Sequence, residues 1–346
     1  ISTSIGGNEH TDFPANRTGL MSINAHDDQS HYQVIFHCLE AASKFAPSAD
    51  VKIPGLQDLR EVLLAMPAPS ALADVDDGPP VTPADALALV DIANSNLSLL
   101  GESSSANPLG WETVVNVSHI LESLTWQLGS AIRREKAGLV RGLYVIIDPL
   151  VTGGRDPLDI AQAAVRGGAR MLQLRDKDRD KGESLLLAAS LQKLCQEFDA
   201  SLIINDHADV AAIVGSAGIQ LGQTDLPVAE ARKVLAYDQV VGRSNHEIEE
   251  LPDSEEMGAD HVAFGPIYPT GTKDVGYGPQ GINRLILARE ASKTPLVAIG
   301  GINAGNASPV VEAGADAICV TAAVGAAPDP EAAAARLVKE IGRAHV

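Results

Sequence analysis

The stretch HVAFGPIYPTGTK, residues 261–273, contains the pattern on which the fold prediction depends. A short apolar run leads into a loop with two prolines, and proline disfavours a helix or an inner strand because it fixes φ and lacks an N–H. Four residues of the loop are suited to holding an anion such as phosphate: Thr270, Gly271, Thr272 and Lys273. Taken alone, the stretch fits an ordinary polar surface loop equally well.

The same succession of a β-branched run, a polar or glycine-rich loop and an alanine-rich helical run recurs on both sides of this stretch. The predicted strands are 143–147, 170–174, 201–205, 218–222, 239–242, 261–265, 295–300 and 317–321. The predicted helices begin near Pro157, Glu183, Ala208, Val228, Glu247, Gly281, Ala304 and Asp329, and Pro252 interrupts the one near Glu247. Eight alternating units in about 200 residues predict an α/β fold, a (β/α)8 TIM barrel. A doubly wound open sheet is the alternative, but no GxGxxG motif follows the first strand.

The sequence before the barrel has a helical period instead of alternation. The predicted helices are 31–46, 56–66, 82–100 and 110–136. Residues 1–29 are polar without periodicity, so they are predicted to be a flexible segment. The predicted organisation is that flexible segment, a small all-α domain of unknown role at 30–138, and a TIM-barrel domain at 139–346. A regulatory, partner-binding or oligomerisation role for the helical domain is a hypothesis that rests on its periodicity alone.

Composition limits the partners and the compartment. The 346-residue chain is 45% apolar and 21% charged, which is typical of a soluble globular protein. Its formal charge of −19 argues against binding to nucleic acid or to an anionic membrane surface, and no apolar stretch reaches the ~18–20 residues that span a bilayer. Cys38, Cys195 and Cys319 are far apart, which indicates reduced thiols in a cytoplasmic protein. The expected partners are small molecules, and the sequence is compatible with a homo-oligomer.

Polar or glycine-rich residues follow seven consecutive predicted strands, from the second to the eighth. The active site of a (β/α)8 barrel lies at the carboxyl ends of its strands, so these residues are expected to share one rim. The strand-end residues are Gln173, Leu174, Arg175, Asp176, Lys177, Asn205, Asp206, Asp225, Ser244, the loop 270–273, Gly301, Val320 and Thr321.

The residue types on this rim indicate two anion sites and a cation site. Arg175, Lys177 and Lys273 can hold a highly charged anion such as a diphosphate. Asp206 and Asp225 follow neighbouring strands, and two carboxylates plus substrate phosphates are the usual ligands of Mg²⁺. Backbone N–H groups near Gly301 and after strand eight can approach a second, smaller phosphate.

Simpler structural roles compete with these interpretations. Asp206 can instead cap the helix after strand three. Arg175 can form an ordinary ion pair with Asp176 or Asp178, and Gly300-Gly301 can serve only a tight strand exit.

Residues 143–341 resemble the thiamine phosphate synthase family. The matching motifs are QLRDK (173–177), IIND (203–206), LGQTD (221–225), GRSNH (242–246), GPIYPTGTK (265–273), AIGGI (298–302) and VTA (320–322). The family joins a pyrimidinylmethyl diphosphate to a thiazole phosphate and releases pyrophosphate by a dissociative mechanism. Thr321 stands where the family commonly has serine, which preserves a hydroxyl group. The resemblance does not extend to residues 1–140.

The resemblance implies a role for each matched position. Residues implied to bind the pyrimidine diphosphate are Gln173, Leu174, Arg175, Asp176, Lys177, Asn205, Ser244 and Lys273. Residues implied to bind the thiazole phosphate are Thr270, Gly271, Thr272, Gly301, Val320 and Thr321. Asp206 and Asp225 are implied to hold Mg²⁺, and the implied catalytic groups are Arg175, Lys177, Ser244 and Lys273.

Two rival functions remain at this point. The related thiazole tautomerases share the barrel but generally lack the combined diphosphate and metal set. A non-catalytic thiamine phosphate sensor, with the helical domain as its output module, would not need Lys177, Lys273 and both aspartates.

Overall fold

The computed structural model of the chain describes residues 17–44, 53–66, 82–100, 111–271 and 278–344. The chain divides into two compact units, Ile1–Gly129 and Ser130–Val346. Among the described residues, no helix combines the length and the apolarity that crossing a bilayer requires.

The described part of the first unit is helical, as predicted. Its helices are α1 (Arg17–Ser43), α2 (Gly55–Ala65), α3 (Pro83–Leu99) and α4 (Trp111–Ala137), the last of which ends within the second unit. Their apolar faces form a common core that includes Tyr32, Ile35, Leu59, Val90 and Leu121. Ile35, Leu39 and Leu59, which the helical period placed on apolar faces, are buried in this core, whereas Val34 is 39% exposed.

Helix α1 differs from the prediction at its beginning. It starts at Arg17, so residues 17–29 are helical where a flexible segment was predicted; residues 1–16 lie outside the described set. Adding residues to an existing helix costs far less than nucleating one. The packed part of α1 from Tyr32 onward can therefore support an extension that has no apolar pattern of its own.

Helix α3 begins where the sequence placed its start. The Thr82 hydroxyl accepts a hydrogen bond from the Asp85 N–H at 3.1 Å, and the Asp85 carboxylate accepts one from the Thr82 N–H at 3.2 Å. This reciprocal capping box, followed by Pro83 at the first helical position, satisfies N–H groups that would otherwise lack partners.

The second unit is a closed barrel of eight parallel strands in sequence order, each paired with the next and β8 with β1. The strands are β1 (Gly142–Ile147), β2 (Met171–Leu174), β3 (Ser201–Asn205), β4 (Gly218–Leu221), β5 (Val240–Asn245), β6 (His261–Phe264), β7 (Leu296–Ile299) and β8 (Ala317–Val320). The predicted TIM barrel is confirmed, and β5 runs further than the predicted 239–242.

Helices surround the barrel in the predicted alternation. They are α5 (Pro157–Arg166), α6 (Lys181–Glu197), α7 (Ala208–Val214), α8 (Val228–Arg232), α9 (Glu250–Glu256), α10 (Gly281–Ala291), α11 (Ala307–Glu312), α12 (Ala322–Gly325) and α13 (Pro330–Ala344). The expected interruption at Pro252 is wrong, because this proline lies in the first turn of α9, where a missing N–H costs nothing. The short α12 and a 3₁₀ turn at Pro149–Val151 were not predicted.

Alternation along the strands separates two apolar cores. The outer core lies between strands and helices and contains, for example, Leu172 and Leu174 of β2. The inner core fills the barrel interior and consists of Val140, Tyr144, Ile146, Met171, Ile203, Val240, Ala263, Val297, Ala317 and Cys319. Inward-facing residues nearer the carboxyl ends of the strands are therefore the ones that can meet a ligand.

Gly218 tests how tightly β4 packs against β5. A Cβ atom at this position would lie 2.0 Å from the backbone oxygen of Val240, so one strand would have to move. We expect Gly218→Ala to lower the free energy of unfolding by about 1–3 kcal/mol, the usual cost of overpacking. Urea denaturation followed by circular dichroism measures this loss. Gly182→Ala is the matched control, because nothing lies within 4 Å of its added Cβ; equal stability of the two variants would contradict the packing argument.

Candidate active site

A cavity of about 440 Å³ opens at the carboxyl ends of the barrel strands, and residues at all eight strand ends line it. The predicted site residues that line it are Gln173, Arg175, Lys177, Asn205, Asp206, Asp225, Ser244, Thr270, Gly301, Val320 and Thr321. Residues from every predicted subsite are therefore brought together in one chamber.

Two predicted side chains lie away from the chamber. Leu174 is 2% exposed and packs in the outer core, because its position on β2 directs its side chain towards the surrounding helices and not into the barrel. Asp176 is buried beside Arg179, whose N–H it accepts at 3.4 Å, and does not line the cavity. Gly271 is also not among the lining residues, whereas Thr272 and Lys273 lie outside the described residues.

Asp206 and Asp225 form a hydrogen-bonded carboxyl pair after β3 and β4. Burial raises the pKa of Asp225, and its hydrogen bond with Asp206 raises it further. Burial acts in the same direction on Asp206, but hydrogen bonds with Asp225 and Lys177 outweigh it and leave the pKa of Asp206 lowered. Of the two carboxyl groups, Asp225 is therefore the one that holds a proton more readily, as expected where two carboxylates converge.

The surroundings of the pair fix its geometry. Asp206 has a φ of 62°, a strained value for a residue that is not glycine, and its N–H donates to the Gln220 carbonyl at 2.9 Å. Its carboxylate lies 2.8 Å from the Lys177 ammonium. The N-cap of α7 is His207, so the alternative role of Asp206 as a helix cap is not observed.

The donor set fits a hard divalent cation that shares its shell with a substrate. Within the described residues, no cluster of three or more His, Cys, Asp or Glu side chains is placed to hold a metal alone. Two carboxylates in contact would supply part of a Mg²⁺ shell, with phosphate oxygens and water as the remaining ligands.

Arg175 is held by a residue that the sequence reasoning missed. Its guanidinium donates to the carboxylate of Asp148 at 2.5 Å, and Asp148 is only 4% exposed. Its observed partner is therefore neither Asp176 nor Asp178. Asp148 follows β1, the one strand whose end was left out of the prediction, and the strand-end rule would have found it.

Neutral polar groups lie deeper than the charged ones. Gln173 donates to the Tyr144 hydroxyl at 2.7 Å, and both side chains are buried within the barrel. Gln220 donates to the Ser244 hydroxyl at 3.0 Å. The sequence reasoning also missed Tyr144 and Gln220. Alternation along β1 and β4 places both side chains on the barrel interior, and that signal could have identified them.

The opposite side of the chamber is built from glycine backbone and α12. Gly300 and Gly301 have φ values of 100° and 67°, and a Cβ on Gly301 would lie 2.5 Å from the Pro269 oxygen. These glycines permit both the strand exit and the close approach of the loop after β6. Thr321 immediately precedes α12 and lines the cavity. Arg155 donates to the Gly325 and Ala327 carbonyls and so fixes the other end of α12.

This barrel, with cationic and carboxylate groups after β2 to β4 and glycine backbone after β7, has the architecture of the α/β-barrel enzymes, whose active sites lie at the carboxyl ends of the strands. Residues 143–324 match the family model described as thiamine monophosphate synthase. The chain belongs to this family. It is an enzyme, a transferase of thiamine biosynthesis.

Individual relatives agree with the family match. The thiamine-phosphate synthase of Shouchella clausii is 40% identical over 196 residues, which are 57% of this chain and 94% of that protein. The thiamine-phosphate synthase of Chlorobium luteolum is 44% identical over 182 residues, 53% of this chain and 86% of that protein. The solved thiamine phosphate pyrophosphorylase of Pyrococcus furiosus is 33% identical with a TM-score of 0.56, covering 60% of this chain and 98% of that one.

Proposed function

We propose that this site condenses 4-amino-2-methyl-5-pyrimidinylmethyl diphosphate with 4-methyl-5-(2-phosphooxyethyl)thiazole to give thiamine phosphate and pyrophosphate. The observation that carries the proposal is the single chamber of about 440 Å³ that joins two different anion-binding sides. One side has side-chain cations, which suit a diphosphate, and the other has open backbone, which suits a monophosphate. The printed name of the relatives, thiamine-phosphate synthase, supports thiamine phosphate as the product.

The charged side of the chamber would act on the leaving group. Arg175 and Lys177 would contact the diphosphate, and Asp148 keeps the guanidinium of Arg175 oriented towards it. The bond between the pyrimidine methylene carbon and the diphosphate oxygen breaks with its electron pair on oxygen, which leaves a pyrimidinylmethyl cation. Groups already in place where negative charge grows lower the barrier of such a step.

Mg²⁺ is the proposed cofactor, and Asp206 and Asp225 would hold it. When bound, it would neutralise charge on the departing diphosphate. Lys177 lies beside Asp206 and would keep the ammonium group next to the same phosphate oxygens.

The glycine-rich side would place the second substrate for capture of the cation. Thr270, Gly301, Val320 and Thr321 line that side and would hold the thiazole phosphate, with Gly271 and Thr272 added by resemblance, which gives Lys273 to the diphosphate instead. The ring nitrogen donates its electron pair to the methylene carbon and forms the new C–N bond, so no protein nucleophile is required. Apolar residues on the chamber wall, including Ile146, Val297 and Ile299, exclude water that would otherwise trap the cation.

The carboxyl pair with its lysine favours a synthase over the two rivals. A tautomerase moves protons within a thiazole and has no diphosphate to release. A sensor has no reason to maintain the strained Asp206 beside Lys177, because binding thiamine phosphate needs no leaving-group site.

The test is a coupled measurement of both products. The full chain is mixed with the pyrimidine diphosphate, the thiazole phosphate and MgCl₂, and thiamine phosphate and pyrophosphate are quantified. We expect equal amounts of the two. Omission of the thiazole phosphate is the control, and absence of thiamine phosphate from the complete mixture would overturn the proposal.

A further inference from the structure

A buried chain of hydrogen bonds runs beneath the chamber from His261 through Gln220 to Ser244. His261 Nε2 lies 3.1 Å from Gln220 Oε1, and Gln220 Nε2 lies 3.0 Å from Ser244 Oγ. His261 is 0% exposed and does not line the cavity, whereas Gln220 and Ser244 do. The chain thus connects a residue within the barrel wall to a hydroxyl on the ligand side.

We propose that His261 and Gln220 are positioning residues that fix the Ser244 hydroxyl as a hydrogen-bond donor to the pyrimidine ring. This inference rests on the proposed function and deepens it, because it concerns how the ring, and not the diphosphate, is recognised.

The strand register explains how two side chains on non-adjacent strands can meet. Gln220 on β4 pairs with Gly242 on β5, and Gly242 pairs with His261 on β6. A Cβ on Gly242 would lie 2.1 Å from His261 Nε2 and 2.2 Å from Gln220 Oε1. The contact therefore passes through the space that the missing side chain of the middle strand leaves open. A histidine and a glutamine held this closely have little freedom to adopt other rotamers.

The protonation of His261 sets the direction of the chain. Burial lowers the pKa of His261 to about 4, so the ring is neutral near pH 7. Its Nδ1 atom has no hydrogen-bond partner among the described residues. A proton on Nδ1 would be a buried donor without an acceptor, so the proton belongs on Nε2, where the Gln220 oxygen accepts it.

Each link then fixes the next. With its oxygen turned to His261, the Gln220 amide presents its N–H to Ser244 Oγ. Ser244 accepts that bond and keeps its own hydroxyl proton for the chamber. A ring nitrogen of an aminopyrimidine is a neutral acceptor that matches such a donor, whereas phosphates match the charged Arg175 and Lys177 nearer the rim.

Gln220 also connects this chain to the carboxyl pair. Its backbone carbonyl accepts the N–H of Asp206 at 2.9 Å, while its side chain serves Ser244. The ring contact and the proposed metal ligand are therefore both held by one residue of β4. Displacement of the Gln220 side chain alone is expected to disturb the Ser244 hydroxyl and to leave the backbone bond to Asp206 in place.

The test measures binding and does not depend on turnover. Calorimetry in MgCl₂ gives the affinity of the full chain for the pyrimidine diphosphate and for inorganic pyrophosphate. We expect His261→Leu to weaken pyrimidine diphosphate binding by roughly 3- to 10-fold, the scale of one neutral hydrogen bond, and to leave pyrophosphate binding unchanged. His261→Gln, which restores an N–H at the position of Nε2, is expected to recover most of the affinity.

A double variant tests whether the effect passes through Ser244. If it does, His261→Leu adds little to the loss already caused by Ser244→Ala. Equal losses of pyrophosphate and pyrimidine diphosphate affinity, or additive losses in the double variant, would overturn the proposal. If His261→Leu fails to fold, Gln220→Met replaces it. The same two ligands are then measured, and Gln220→Met is combined with Ser244→Ala in the double variant. Product formation by the unaltered chain tests the proposed function separately, so failure of one idea is distinguishable from failure of the other.

Discussion

Lys177→Ala is expected to lower kcat by about 10²- to 10³-fold at saturating concentrations of both substrates and Mg²⁺. The Lys177 ammonium lines the chamber and lies 2.8 Å from the Asp206 carboxylate, beside the proposed site of the departing diphosphate. Under the proposed function, its loss would remove a contact that is stronger in the transition state than in the bound substrate, so kcat should fall and not only affinity. Single-turnover release of pyrophosphate measures the step directly.

Lys233→Ala is the matched control for this substitution. Lys233 is an exposed lysine of the same barrel, pairs with Glu230 at 2.9 Å and does not line the chamber, so its removal should leave kcat within about two-fold, since surface pairs contribute little. The assay uses saturating Mg²⁺ because removal of the Lys177 ammonium also changes the charge near the carboxyl pair. That change would alter the affinity for Mg²⁺, and at lower Mg²⁺ concentrations it would change the rate as well. An unchanged kcat for Lys177→Ala would remove this residue from the leaving-group site.

Asp206→Asn is expected to raise the Mg²⁺ concentration for half-maximal activity by at least roughly 10- to 100-fold. Asparagine keeps the shape of aspartate and tolerates the positive φ of 62°, so the substitution removes charge without adding backbone strain. Titration of initial rates with MgCl₂ measures the change. Chelation of metal by EDTA should abolish the activity of the unaltered chain, and added Mg²⁺ should restore it.

Asp209→Asn controls for the loss of a carboxylate close by in sequence. Asp209 lies three residues further on, is half-exposed, and pairs with Lys181 at 2.8 Å outside the chamber. Its substitution should leave the Mg²⁺ titration in place. Identical titrations for Asp206→Asn and the unaltered chain would exclude Asp206 as a ligand.

The sequence predicted the barrel well because alternation of short apolar runs and helical runs is a local signal repeated eight times. It failed for α12, because four residues have no period to detect. It also failed for the first part of α1, because residues 17–29 have no apolar pattern that predicts a helix. Both failures have one cause: neither segment has a local pattern that predicts a helix.

The candidate site shows the same division. Strand-end position located Arg175, Asp206 and Ser244 at the chamber without any structure. The side chains of Leu174 and Asp176 do not line the chamber, because a matching run of residues includes both the inward-facing and the outward-facing positions of a strand. Strand-end position missed Gln220, whose role depends on a register across three strands, and that information is not local. The cytoplasmic location and the homo-oligomer stay predictions from sequence.

The inner core has a kinetic consequence. Tyr144, Met171 and their neighbours fill the barrel below the chamber, so that route is blocked and reactants exchange through the rim. When a cavity is entered from the rim, a ligand that binds deep within it must enter before a ligand that binds at the opening. It must also leave after that ligand. Under the proposed function, a pyrimidine ring bound near Ser244 would have to enter through the same opening as the thiazole phosphate, so a thiazole phosphate bound first would hinder its entry.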